Sequence, residues 1–328
     1  MTVRLAIIGL GQIGASLGLA LAGQKQQVVR IGHDRLPEIA RQAKKLGAVD
    51  DIAYNLHAAV ETADVVILAV PFDEVRATLA MIAADLRPNA LVIDTSPIKT
   101  ATSAWAQALL PPDRFFVTFT PTINPVHLHE TAAGIEAAHA DLFHNSLTTI
   151  TSLPGANSDV VKFAADLATL VGSKPLFTDI YESDGLMAAT SLLPQLVAAA
   201  LVNATVDQPG WGEGRKLAGK AYTQATEPVA HLADTETLGQ AYLHNRANVV
   251  RVLDNLMAAL DELRQAIADD EDGTLHALLH NAREDRRIWL QQRRSADWNL
   301  TSKIELPRSS DVFGRLLGLG KRRPGQRT

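Results

Sequence analysis

The stretch VRLAIIGLGQIGASLGLALA, Val3 to Ala22, decides how the first half of the chain is read. Val3 to Ile8 is a short apolar run of the kind that forms a parallel strand buried on both faces. It ends at a glycine. Gly9, Gly11 and Gly14 then follow at the spacing G-x-G-x-x-G, ahead of a helix-forming stretch from Ala15 to Ala22. Each glycine has its own task. Gly9 permits a tight turn, Gly11 lets the backbone approach a pyrophosphate, and Gly14 lets the helix pack close to the strand. The helix N-terminus offers free N–H groups and a positive dipole end to phosphates, so Gln12 and Ile13 are expected beside them.

The residues downstream give that glycine pattern its context. A second strand, Gln27 to Ile31, leads to Asp34, 20 residues beyond Gly14. That is where the ribose hydroxyls of a bound dinucleotide should lie. An acid there favours NAD, because it would repel a 2′-phosphate. Arg35 beside it can stack on adenine or pair with that phosphate, which keeps NADP open. Further strands are expected at Ala63 to Val70, Leu91 to Ile93, Phe115 to Phe119, Leu147 to Thr151 and Pro175 to Asp179, with helical segments between them. Such alternation means βαβ units, a parallel sheet and helices on both faces. Ligands then sit outside the carboxyl ends of the strands, so Val70, Pro71, Thr95, Ser96 and Thr120 are expected to line the cleft.

From Glu182 onward strand signals stop. Ser183 to Ala204 reads as one helix buried on all sides and kinked at Pro194. Its apolar part, Leu186 to Val202, is shorter than the roughly 20 residues of a membrane span and is interrupted by Pro194 and Gln195, so no membrane is expected. Val249, Leu253, Leu256, Leu260, Leu263 and Ile267 recur at steps of four and three, a coiled-coil-like seam that needs another helix to cover it. Two-fold dimers are the commonest assemblies, so a homodimer through this region is expected. The run Arg283, Arg286, Arg287 reads as a solvated helix face. The remainder, with Lys321, Arg322 and Arg323, reads as a basic, flexible tail. The expected domains are 1–180, 181–294 and 295–328.

Composition narrows the function classes. The 328 residues are 47% apolar and 20% charged, with a net charge of −5 and no cysteine. There is no global basic field to attract nucleic acid. Disulfides, thiolate catalysis and cysteine–metal sites are excluded. A small-molecule substrate and a cytoplasmic setting are the expectation.

Several segments together resemble the prephenate/arogenate dehydrogenases. The resemblance is carried by IIGLGQIGASLGLAL, ADVVILAVPFDEV, GIEAAHADLFHN at Gly134 to Asn145, and SDGLMAATSLLPQLVAAALV from Ser183. It continues in AYLHNRANVVRVLDNLMAALDELR and AREDRRIWL, so that it spans roughly Val3 to Leu290. It implies a Rossmann-type domain, a doubly wound parallel sheet, followed by an all-α dimerisation domain. It also implies an NAD(P)-dependent oxidative decarboxylation of prephenate or arogenate in tyrosine biosynthesis.

At the chemical positions the chain departs from that family. In FTPTINPVH, Phe119 to His127, the family's His-Pro-Met is Thr120-Pro121-Thr122. Its Asp-x-Gly-Ser-x-Lys is Asp94-Thr95-Ser96-Pro97-Ile98-Lys99. Its Ser-His-Leu-Pro-His is Ser191-Leu192-Leu193-Pro194-Gln195, and an arginine-bearing segment aligns with Tyr222 to Glu227. Threonine donates a hydrogen bond but does not shuttle protons near neutral pH. Thr120, Ser96 and His127 are therefore the candidate catalytic residues, with His127 as a replacement acid/base. Asn124, Lys99 and Asp184 are further groups that can reach a substrate. His127 and His129 form an H-x-H pair without a third ligand at telling spacing, so no metal is expected. Two readings stay open: a dehydrogenase acting on prephenate, arogenate or a related hydroxy acid, and a catalytically silent dinucleotide-binding regulator.

Overall fold

The computed structural model describes residues 2–24, 27–153, 155–230 and 235–298. The basic residues Lys321 to Arg323 lie outside the described residues. Two compact units divide the chain, one ending at Asp269 and the other beginning at Asp270.

The first unit is organised by one eight-stranded sheet. Its elements run β1 (Val3–Ile8), α1 (Gln12–Ala20), β2 (Val28–His33), α2 (Pro37–Leu46), β3 (Asp51–Ile52), α3 (Leu56–Val60), β4 (Val65–Leu68), α4 (Phe72–Ile82), β5 (Leu91–Asp94), α5 (Lys99–Leu109), β6 (Phe115–Pro121), β7 (Ser146–Ser152), α6 (Ser158–Leu170) and β8 (Ser173–Phe177). The strand order is β3-β2-β1-β4-β5-β6-β7-β8. All neighbours are parallel except β6 and β7. A parallel return needs a crossover, usually a helix. The connection from β6 to β7 holds only two 3-10 turns, Pro125–His127 and Gly134–Ala137. This segment returns the chain antiparallel and leaves its own residues beside the cleft.

Alternation along β1 splits the core into two layers. Leu5 and Ile7 pack with Leu17, Ile67, Ile93 and Phe119 on one face. Ala6 and Ile8 pack with Val66, Leu68, Leu79 and Val92 on the other. Arg30 of β2 is almost fully buried, and its charge is matched by Asp50, with Nη2 donating to Oδ1 at 2.7 Å. Nη1 donates to the carbonyls of Gly18 and Gly47, which joins α1 to the end of α2.

Helices complete this unit: α7 (Ile180–Met187), α8 (Leu193–Val206), α9 (Trp211–Leu217), α10 (Lys220–Ala230), α11 (Thr235–His244) and α12 (Arg246–Ala268). Between α7 and α8 lies a π turn, Ala188–Leu192, with Pro194 in the first turn of α8. The wider turn precedes the proline, whose missing N–H falls in the first turn of α8 where it costs least. A third apolar cluster joins Phe72 and Ile98 of the sheet layer to Ala188, Leu192, Ala241, Val249 and Val252 of the helices.

One expectation for the helices needs correction. The helix around Pro194 is not buried on all sides: only Ala198 of α8 is buried. Ile180–Val206 has the length and apolarity to cross a membrane, with a mean hydropathy of 1.7 and 17% of that window buried. The seam on α12 is covered only in part within the single chain, which leaves the expected cover by a partner helix open. Val249 is covered, but Leu260 and Ile267 are 55% and 63% exposed. A pattern of apolar residues reports that a face needs covering, and not whether the cover comes from the same chain.

The second unit contains α13 (Asp272–Ser295). Arg283 and Arg287 are exposed and flank Glu284 on its surface, so the arginine run is a solvated helix face.

Candidate active site

A cleft of about 750 Å³ opens at the carboxyl ends of β1, β2, β4 and β5. Its first wall is the turn after β1. Gly9 has φ +88°, and a Cβ there would lie 2.4 Å from the Ala69 carbonyl oxygen. A Cβ on Gly14 would lie 1.9 Å from the Gly9 carbonyl oxygen, so helix and turn meet only because that side chain is absent. Gly11 differs. A Cβ there meets nothing within 4 Å, and Gly11 lines the cleft. The space it leaves open is what an approaching phosphate requires. Gly11 is the N-cap of α1, and no acidic residue occupies the first turn to compete for the free N–H groups.

Gly9, Gly11, Gln12, Ile13, Asp34, Arg35, Val70, Pro71, Thr95 and Ser96 all line this cleft. Gly14 stands behind the turn, buried. Asp34 is held by backbone donors on both oxygens: Leu10 N–H reaches Oδ2 at 2.8 Å and Leu36 N–H reaches Oδ1 at 2.9 Å. Arg35 pairs with Glu74 across the cleft mouth. The far wall comes from Gly134 and Ile135 and from helical residues such as Ser191, Leu192, Gln195 and Leu238. Spacing along the chain gives no signal for these, since they arrive by tertiary packing.

Behind the wall that Ser96 gives the cleft lies a buried polar cluster; Thr120, expected in the lining, belongs to this cluster and not to the lining, because its hydroxyl turns to the Ser96 carbonyl and Lys99. Ser96 Oγ donates to Asp94 Oδ2 at 2.7 Å. Thr120 Oγ1 donates to the Ser96 carbonyl oxygen at 3.1 Å. Lys99 is wholly buried, and its Nζ is hydrogen-bonded to Thr120 Oγ1 and to that same carbonyl. Burial pushes the Lys99 ammonium down from 10.5 to about 8, against the opposing pull of Asp94 and Asp184. Asp184 holds the start of α5: its Oδ1 accepts from Lys99 N–H at 2.5 Å and its Oδ2 from Thr100 N–H at 3.1 Å. Asn245 Nδ2 in turn donates to the Asp184 carbonyl at 2.8 Å, which ties α12 to the same point. Of the three groups that reading the sequence leaves unranked, Lys99 is the one in contact with Thr120.

His127 is placed elsewhere. It is not part of the cleft lining; its Nε2 meets Asp141 Oδ1 at 3.0 Å and its ring stacks on His139. His129 is exposed and lies outside the cleft lining. Asn124 is a buried cap, its amide donating to the Asp141 carbonyl. Beside the cleft is a second cavity of about 650 Å³, lined by Leu128, His129, Glu130, Gln195, Gln224, Glu227 and Pro228. Gln195 belongs to both cavities. Glu227, which stands in the segment aligned with the family's arginine, therefore faces the space next to the cleft. That lining contains no lysine or arginine.

A parallel sheet with a glycine turn at its switch point, and helices closing the cleft, define a dinucleotide-binding domain with a helical extension. The chain belongs to the prephenate dehydrogenase family: residues 17–176 match its nucleotide-binding domain and residues 181–281 its dimerization domain. Cyclohexadienyl dehydrogenase of Zymomonas mobilis is 26% identical over 294 residues, covering 88% of this chain and 97% of that protein. Prephenate dehydrogenase of Bacillus subtilis is 26% identical over 290 residues, covering 87% of this chain and 76% of that protein. The structure of Aquifex aeolicus prephenate dehydrogenase with hydroxyphenyl propionate and NAD+ has the same fold, with a TM-score of 0.76 at 20% identity over 88% of this chain and 98% of that one.

Proposed function

We propose that this protein is an NAD-dependent dehydrogenase that oxidatively decarboxylates a cyclohexadienol acid of the prephenate/arogenate type, with arogenate the better substrate. The observation that carries the reading is the buried contact of Lys99 with Thr120 and with Ser96, the member of this group that lines the dinucleotide cleft. The family relationship favours the enzyme over a silent binding protein.

Bound NAD supplies the hydride acceptor. The side chains of this chain handle the hydroxyl proton. Thr120 accepts it from the substrate while passing its own to neutral Lys99 Nζ, and Ser96, fixed by Asp94, helps hold the hydroxyl in line. This relay takes the place of the family's histidine, and His127 has no part in it. Gly11 and the N-terminus of α1 serve the pyrophosphate and Asp34 the ribose. Glu74 neutralises Arg35, so a 2′-phosphate would meet two carboxylates and one engaged guanidinium, which supports NAD over NADP. The arogenate preference rests on Glu227: prephenate is a dianion, whereas the ammonium of arogenate lowers the net negative charge that this carboxylate opposes.

The open faces of α8 and α12 support a homodimer, and a biosynthetic enzyme of this kind belongs in the cytoplasm. The deciding assay is NADH formation with arogenate and with prephenate, each with NAD and NADP. Turnover of arogenate with NAD at a higher kcat/KM than prephenate is expected. Absence of NADH with both substrates would overturn the reading.

A further inference from the structure

The segment between β6 and β7 carries a constellation that the dehydrogenase chemistry does not use. His127, Glu130 and His139 each offer a ligand atom, and all of these atoms lie within 4.8 Å of one another. His139 Nε2 is 2.8 Å from Glu130 Oε2, and His127 Nδ1 is 3.7 Å from that oxygen. The two imidazoles are stacked, with centroids 4.1 Å apart and planes 6° from parallel, so one ring must turn about its Cβ–Cγ bond for both to meet a common ion. Two histidines and one carboxylate form a donor set of the zinc-binding type.

Asp141 adds a second, independent observation. Its Oδ1 sits 3.0 Å from His127 Nε2, the ring nitrogen turned away from Glu130. In neutral imidazole one nitrogen donates and the other accepts. With Nε2–H donated to Asp141, Nδ1 presents a lone pair toward the Glu130 carboxylate. A proton on Nδ1 or a metal ion between the two relieves the repulsion of these facing acceptors. A carboxylate that fixes the tautomer of a histidine from behind is the usual outer partner of a metal-binding imidazole. Glu130 and Asp141 also leave the cluster two negative charges to be balanced.

We propose that His127, Glu130 and His139 bind one divalent transition-metal ion of the zinc class, with Asp141 orienting His127. No metal is expected from the H-x-H spacing alone; that spacing pairs His127 with His129, whereas the fold brings His139 back instead. The site is structural in its placement. The same segment supplies Gly134 and Ile135 to the cleft wall, and His139 N–H donates to Ser16 Oγ of α1 at 3.0 Å. A bound ion cross-links the two turns of this segment, and so steadies the cleft wall and the helix that faces the phosphates.

The test uses the full chain, stripped of metal by chelator dialysis and titrated with zinc chloride by calorimetry. Cobalt chloride in a parallel titration reports coordination through its visible absorption. One equivalent bound at micromolar or tighter Kd is expected, with loss of the stoichiometric step in His139→Ala. Asp141→Asn keeps all three ligand atoms and should weaken binding about 10–100-fold. This variant settles the matter if His139→Ala fails to fold. No binding by the unmodified chain, a Zn²⁺ affinity unchanged in Asp141→Asn, or a stoichiometric step that survives in folded His139→Ala would each overturn the proposal. Proton uptake at His127 without metal binding would appear as the first of these results.

Discussion

Lys99 Nζ is hydrogen-bonded to Thr120 Oγ1, joining the first residue of α5 to the end of β6. The amine belongs to the stretch after β5, and the hydroxyl stands where the resemblance to this family leads one to expect a histidine. A buried lysine is costly as an ammonium. With one pKa unit equal to about 1.36 kcal/mol, the drop from 10.5 to about 8 amounts to about 3 kcal/mol against the charged form. The neighbouring acids Asp94 and Asp184 already reduce that cost. The result is an amine that can take up a proton near neutral pH, which threonine alone cannot do.

The first prediction follows from that pair. kcat should rise with pH through an apparent pKa near 8. Lys99→Met should lower it by about 10²–10⁴-fold and flatten the profile. Stability provides a separate check. The folded pKa lies below the unfolded one, so between about 8 and 10.5 the unfolded chain binds more protons. This group's contribution to stability therefore rises with pH across that window, and its full penalty is present below about 8. Urea denaturation should show wild type gaining on Lys99→Met between pH 7 and pH 10. A constant difference would refute the assignment.

The second prediction separates two glycines. A side chain at Gly11 projects into open cleft space, so Gly11→Val should keep fold and melting temperature. It should weaken NADH binding by at least about 100-fold, or roughly 3 kcal/mol, in calorimetry. Gly14→Ala places a methyl 1.9 Å from the Gly9 carbonyl oxygen and should lower the melting temperature before any question of binding arises. Equal effects of the two changes on stability would contradict the geometry.

Particular residues show why part of this was readable in the sequence. Gly9, Gly11, Gly14 and Asp34 belong to one βαβ unit, where local spacing fixes the positions of turn, helix and acid. Seven of the eight strands were legible for a similar reason: apolar runs between helical segments admit few topologies, whereas β3, two residues long, has no such run. Lys99 and Thr120 lie on successive strand–helix units, and Asp184 reaches Lys99 from 85 residues away. Spacing carries no information about such contacts. The same limit applies to His139, which stacks on His127 by way of an irregular segment. It applies equally to the antiparallel turn-back of β7. The faces of α8 and α12 were legible as apolar but not as open, because burial depends on which surface arrives to cover them.

A third prediction concerns the buried pair in β2. Arg30 is 1% exposed, and Asp50 accepts from its Nε, Nη2 and backbone N–H. Asp50→Ala leaves that charge uncompensated and should cost about 3–5 kcal/mol in urea denaturation. Arg30→Met with Asp50→Leu should cost less than Asp50→Ala alone, since the double change removes the charge instead of stranding it. The opposite order would show that the pair is worth more than its desolvation.

Assembly gives the fourth. Met257, Leu260 and Ile267 of α12 and Val197 of α8 are exposed in the single chain. Exposed apolar area of this kind marks an interaction face. Light scattering at micromolar concentration should report a dimer, and Leu260→Glu with Ile267→Glu should shift it to monomer. A monomeric wild-type chain would sink the proposal.

The fifth prediction tests substrate charge. Glu227 lines the cavity that adjoins the cleft through Gln195, and no lysine or arginine lines that cavity. A charge-assisted contact is worth about 1.5–3 kcal/mol. Glu227→Arg replaces repulsion with such a contact, so kcat/KM for prephenate should rise by at least about 10-fold, chiefly through KM. Arogenate should gain less, because its ammonium already offsets part of its negative charge, and the preference between the two substrates should narrow or reverse. Thr120→His should act differently, changing kcat and its pH profile while leaving the substrate ratio unaltered, since position 120 meets the hydroxyl common to both. Combining the two changes should give approximately multiplicative effects, because the residues act on separate parts of one substrate. If Glu227→Arg moves kcat/KM for prephenate and arogenate by the same factor, Glu227 does not read substrate charge, and the arogenate preference loses its physical basis.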